Sequence, residues 1–254
     1  MASLADRTAR GLVVAAMATL TVLAWHWLLP MHMAPMGFTT VDPPTLYPAW
    51  TAQTAWLMFA MWSVMMAGMM IPTAVPMGLA VERMARNHQD GPPLLAATLF
   101  VLAYVLIWTG FSASATAGQW AVERLGLMSD MMASASAWLS GLVLVGAGLF
   151  QFSPLKHACL ARCRSPMGFL LTEWRLGLRG VFFIGLRHGV YCLGCCWALM
   201  ALLFVFGTMN LVAAAGLAGL VLAEKALPAG PLIARFAGVL FAAWGFWILI
   251  HSWV

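Results

Sequence analysis

The sequence predicts an all-α fold: a polytopic membrane helical bundle of about seven transmembrane helices, forming a single integral membrane domain over residues 1–254. Three observations carry this reading. Of 254 residues, 63% are hydrophobic and 8% charged, whereas a soluble domain carries about 25% charged residues to clothe its surface. Apolar runs of about 18 residues or more recur, each long enough to cross the ~30 Å hydrocarbon layer as a helix. The runs lack period-2 alternation, so helices satisfy the backbone in lipid rather than a closed barrel. The expected spans are about 12–29, 53–79, 94–118, 136–153, 182–206, 210–226 and 232–252. The formal charge of +5 sorts by loop, so it is a topology signal, and no nucleic-acid partner is expected.

Taken in order, the first span follows Arg7 and Arg10 and ends in Trp25-His26-Trp27-Leu28-Leu29-Pro30 without a small-residue cleavage site. It reads as a retained signal-anchor helix. Segment 30–50 carries Met31, His32, Met33 and Met36, then Asp42-Pro43-Pro44, and reads as an irregular external loop. In the second span Pro72 and Pro76 are expected to kink or end the helix. Segment 165–181 mixes Phe169, Leu170, Leu171 and Trp174 with Glu173, Arg175 and Arg179, as an amphipathic helix on the cytoplasmic surface would. Glu224 and Lys225 end the sixth span and read as a charged pair at the interface. Twelve of the thirteen lysines and arginines fall in alternate loops, and Arg124 alone falls in the other set. The positive-inside rule then places the N-terminus in the cytoplasm and the C-terminus outside.

All five cysteines lie in two short stretches. His157, Cys159 and Cys163 follow span four; His188, Cys192, Cys195 and Cys196 occupy the first half of span five. Both stretches are expected at the cytoplasmic face. At ~100° per residue, His188, Cys192 and Cys195 fall within about 60° of one another, and Cys159 and Cys163 share a face. Thiolates and imidazoles are ligands for Cu(I), zinc and iron–sulfur centres. The spacing matches no standard zinc finger, so it does not fix the metal. Cysteine is also a small apolar packing residue, which is the competing account. Cys192-x-x-Cys195 has redox spacing, but a cytoplasmic location keeps thiols reduced.

A methionine stripe accompanies them. Met58, Met61, Met65 and Met69 fall within roughly 80° on a helical wheel, flanked by Met66 and Met70. Thioethers bind Cu(I) and tolerate an apolar interior; they also pack well. As a relay, the stripe joins the soft donors of the external loop to the cysteines.

Trp62-Ser63-Val64-Met65-Met66-Ala67-Gly68-Met69-Met70-Ile71-Pro72 is one recognisable motif. Gln151-Phe152-Ser153-Pro154-Leu155-Lys156-x-x-Cys159-Leu160-x-x-Cys163-Arg164-Ser165-Pro166 is a second, and Gly185-Leu186-x-His188-Gly189-x-Tyr191-Cys192-x-Gly194-Cys195-Cys196-Trp197 a third. Over roughly residues 55–250 the chain resembles a bacterial family of metal-binding integral membrane proteins, with a member described as a copper chaperone for a tyrosinase-type oxidase. The resemblance implies copper handling in a bacterial inner membrane and no established catalysis. Motif for motif it carries Cys159, Cys163, His188, Cys192, Cys195 and Cys196, with Met65, Met66, Met69 and Met70.

The expected function is binding of Cu(I), or another soft metal, and its delivery to a partner enzyme or across the membrane. The expected partners are the lipid bilayer and a copper-dependent oxidase or soluble metallochaperone. The alternatives are a membrane thiol/quinone oxidoreductase and a non-catalytic membrane subunit whose cysteines hold a cofactor. No nucleotide-binding domain is visible to drive a pump.

Overall fold

The computed structural model describes residues 4–33, 50–88, 91–127, 136–208 and 210–252. The expected external loop with Met36 and Asp42 lies outside these residues, as do the side chains of Met31, His32 and Met33. In chain order the helices are α1 (Leu4–Met33), α2 (Ala52–His88), α3 (Pro93–Arg124), α4 (Ala137–Phe150), α5 (Pro154–Arg164), α6 (Pro166–Glu173), α7 (Gly177–Ala201), the single turn α8 (Leu203–Phe206), α9 (Leu211–Ala226) and α10 (Gly230–His251). Among the described residues the fold is all-α.

Five stretches are long and apolar enough to cross a membrane: Thr8–Pro30, Ala52–His88, Pro93–Arg124, Gly177–Phe206 and Gly230–His251. The pair α4 and α5 raises this to six if it counts as one span, and it is bent by 62°. The expectation of seven is therefore corrected, and the reasons are local. Ser153-Pro154 stops α4 after 14 residues: proline cannot continue the hydrogen-bond ladder, and Ser153 Oγ accepts from the Lys156 N–H to begin α5 afresh. The sixth expected span is α9, 16 residues between the Asn210 cap and Leu227-Pro228. Its length is about 24 Å at 1.5 Å per residue.

Helix α2 occupies the middle, packed by α1, α3 and α9. It continues through Pro72 and Pro76 to His88, so the prolines do not end it. Pro72 has no N–H to give the carbonyl of Gly68, four residues earlier. Trp25 Nε1 of α1 donates to that carbonyl at 3.3 Å. Gly68 favours the approach, because a Cβ there would press on Ala24 Cβ at 3.1 Å.

Small residues set two further close crossings. On the seam of α4 and α10, a Cβ at Gly148 would fall 2.6 Å from the Ala242 nitrogen, and one at Gly238 would fall 2.7 Å from Gln151 Cβ. Backbones approach this closely where small residues line both helices. On α7, Gly185 and Gly189 face Phe100, Ala103 and Ile107 of α3 in the same way. Large apolar side chains such as Leu232, Phe236, Val239 and Trp247 of α10 point outward. An apolar outer surface of this extent is what a lipid environment requires.

Candidate metal centre

The cysteines converge because two glycine-permitted approaches bring α5 and α3 onto α7. A Cβ at Gly194 would lie 2.8 Å from Cys159 Sγ, so α5 sits directly on the bare backbone of α7. One turn along α5, the Cys163 thiol comes close to that of Cys195. Cys192, Cys195 and Cys196 are buried to 1% exposure or less, Cys159 is buried and Cys163 half-buried. All five are free thiols. Cys192 is the sixteenth residue of α7, about 22 Å along the axis from its first residue, so the group lies well inside the bundle.

Two of the thiols spend their hydrogens on one acceptor. Cys195 Sγ and Cys196 Sγ donate to the Cys192 carbonyl at 3.1 and 2.9 Å. The Cys192 thiol faces a small polar nest. Tyr104 Oη lies 3.0 Å from Cys192 Sγ and donates to the Met70 carbonyl at 3.2 Å. Thr73 Oγ1 donates to the same carbonyl at 2.9 Å. The ammonium of Lys225, reaching in from the last turn of α9, donates to Cys192 Sγ at 2.9 Å and to Thr73 Oγ1 at 3.1 Å.

His188 stands one turn before Cys192, buried to 3% exposure among the rings of Phe100, Tyr104 and Phe169. Its Nδ1 is buried with no hydrogen-bond partner among the described residues. Buried polar nitrogens are satisfied in the great majority of cases, so an orphan of this kind is free for a ligand. His157 is half-buried on α5; two residues from Cys159, it lies about 160° around the helix from it. Met65, Met66, Met69 and Met70 are all buried to 1% exposure or less, in one apolar core with Cys192, Cys195 and Cys196. No three His, Cys, Asp or Glu side chains among the described residues stand ready as a metal cage. The thiols would have to turn from the Cys192 carbonyl to close on an ion. The donor set itself is soft, thiol and thioether with one imidazole, and that set suits Cu(I).

One expectation about charge changes. Glu224 and Lys225 do not pair with each other. Glu224 accepts from Lys156 Nζ at 2.6 Å and from Gln151 Nε2 at 3.1 Å, with both charged side chains buried. Adjacent helical residues point about 100° apart, which sends Glu224 to α5 and Lys225 to the cysteines. The arginines that neighbour the cysteines in sequence make other contacts. Arg187 pairs with Glu173 at 2.7 Å, Arg164 binds the carbonyls of Glu224 and Pro228, and Arg162 lies over the Tyr191 ring and donates to Thr172. In segment 165–181, α6 buries Phe169 and Leu170 in the core and turns Leu171 outward.

Sequence reasoning missed Lys225, Tyr104 and Thr73. The signal for Lys225 was available: one acid and one base side by side on an apolar helix need separate partners, and Lys156 beside Cys159 was already one of them.

A family model described as "PpoB2: Copper chaperone" matches residues 59–248. The match covers about three quarters of the sequence, and the chain belongs to this copper chaperone family. No curated protein and no solved structure matches it.

Proposed function

We propose that this member of the copper chaperone family is embedded in a bacterial inner membrane, binds Cu(I) at the cysteines and hands it to a copper-dependent oxidase. The observation that carries the reading is the convergence of Cys159 and Cys163 of α5 with Cys192, Cys195 and Cys196 of α7 inside a methionine-rich core. The cargo is an ion and the transfer is ligand exchange. Thiolates need deprotonation to bind, and the exchange passes the ion from one set of soft donors to another without net electron flow. Methionines Met65, Met66, Met69 and Met70 supply weaker, neutral donors on the approach. His188, with its free Nδ1, supplies a further ligand from the same face of α7 as Cys192.

The proposed orientation keeps the N-terminus cytoplasmic and the C-terminus outside, on the strength of the partition of lysine and arginine. Reporter fusions at both termini decide it. The reading as a whole is tested by metal analysis of protein purified from its native membrane under reducing conditions. Copper at about one per chain is expected. A metal-free protein that binds no Cu(I) on titration overturns it.

A further inference from the structure

Lys225 is the unusual group in this interior. The chain has two lysines. Lys156 is fully buried and paired with Glu224. Lys225 instead brings its positive charge to a group of thiols, 2.9 Å from Cys192 Sγ. Cys195, Cys196, Tyr104 and His188 lie within its electrostatic reach. Its carboxylate neighbour in sequence, Glu224, is already committed to α5.

We propose that Lys225 is a tethered cation that holds the place of the cargo, so that a monovalent soft ion, Cu(I) or Ag(I), and the Lys225 ammonium occupy the Cys192 pocket in turn. This rests on the chaperone reading above. Two like charges a few ångström apart inside a bundle repel strongly, because the medium screens them poorly. An ion bound at Cys192 therefore drives the ammonium out, and the returning ammonium weakens the hold on the ion. Each cysteine that takes the ion loses its thiol proton to solvent, no electrons are transferred, and the ammonium moves outward as the ion enters.

The route for the ammonium is present. Lys225 belongs to the last turn of α9, and the next residues, Ala226 to Ala229, are exposed. The residue as a whole is part-exposed while its tip reaches Cys192 Sγ. A four-carbon stem lets lysine carry its charge to a polar boundary without moving its helix. The anchor for this swing comes from α5: Lys156 holds the Glu224 carboxylate and Arg164 holds the Glu224 and Pro228 carbonyls. The helix that carries Cys159 and Cys163 thus also fixes where Lys225 starts.

The test uses the full-length protein in detergent or nanodiscs, with Cu(I) affinity read by competition against a chromophoric Cu(I) chelator. Lys225→Leu removes the charge and adds no soft donor. It is expected to bind Cu(I) at least about tenfold more tightly, equal to about 1.4 kcal/mol, and to release it to chelator more slowly by a similar factor. Lys225→Arg, which keeps the charge, is expected to stay within about threefold of the parent affinity. Unchanged or weaker binding by a folded Lys225→Leu protein overturns the proposal. Should that variant not fold, acetylation of the parent protein decides. Lys225 is expected to react several-fold faster when Ag(I) is bound, with Lys156 as the buried internal control. Equal or slower reaction overturns the proposal. Absence of Cu(I) binding by the parent protein would instead remove the chaperone reading itself.

Discussion

The interior between α2, α3 and α7 has two polar ends, and they are built on opposite rules. At one end Trp62 Nε1 donates to Gln119 Oε1 at 2.9 Å, and Gln119 Nε2 donates to Glu123 Oε1 at 2.9 Å and reaches Met58 Sδ at 3.5 Å. Trp50 Nε1 closes the chain on the other Glu123 oxygen at 2.5 Å. Each of these groups has a fixed partner of complementary kind. At the other end two thiols share one carbonyl, a lysine takes a thiol for its acceptor, and the His188 Nδ1 has no partner. Satisfied buried networks rigidify a structure, and partly satisfied ones are costly to keep. The first end therefore holds α2 against α3, and the second keeps donors that an ion can claim.

That contrast breaks most visibly if the cysteines go. Cys192→Ser with Cys195→Ser is expected to abolish high-affinity Cu(I) binding, since a hydroxyl is a poor ligand for a soft ion. Membrane insertion and elution as a folded species should persist. Stoichiometric Cu(I) retained in chelator competition would remove these residues from the site.

A smaller effect is expected from the charge anchor. Glu224→Leu strands Lys156 in the interior, and breaking a buried pair costs about 3–5 kcal/mol. The thermal midpoint in detergent should fall well below that of the parent. Adding Lys156→Met should restore most of the loss, because two apolar groups can replace a buried pair at little cost. A double variant as unstable as the single one would show that the pair is not acting as a unit.

The satisfied end should respond only in stability. Gln119→Leu leaves the Trp62 N–H and one Glu123 oxygen short of partners, at about 1–3 kcal/mol, with Cu(I) affinity unchanged. A large fall in affinity would mean that the two ends are coupled. The smallest effect belongs to the methionines. Met65→Leu with Met69→Leu preserves volume, at under ~1.5 kcal/mol, and should slow copper loading in stopped-flow chelator exchange without changing the final occupancy. Normal loading would leave these methionines as packing residues.

The sequence announced the parts of this interior through spacing and composition. Cys192 and Cys195 on one helical face, with Cys159 and Cys163 a turn apart on α5, follow from ~100° per residue, and their convergence is seen in the Cys163–Cys195 contact. The apolar runs became α1, α2, α3, α7 and α10. Other features were hidden because they depend on contacts far apart in the chain. Lys225 reaches Cys192 across 33 positions and Thr73 across 152. Pattern reading also broke down at proline. Pro154 divides α4 from α5, yet Pro72 and Pro76 sit inside α2. At Pro72 the carbonyl it leaves free has a tryptophan from α1 to receive.

That tryptophan bears on how the chain is made. A ribosome releases α1 before α2, so in the proposed membrane setting Trp25 would already be in place when Gly68 arrives without its usual amide donor. A carbonyl left bare in hydrocarbon costs several kcal/mol, and α2 synthesised alone would have to find another donor or stay near the headgroups. The family match begins at residue 59, past α1, yet α1 supplies α2 with the donor that Pro72 lacks. In that setting the order of translation would become part of the folding pathway.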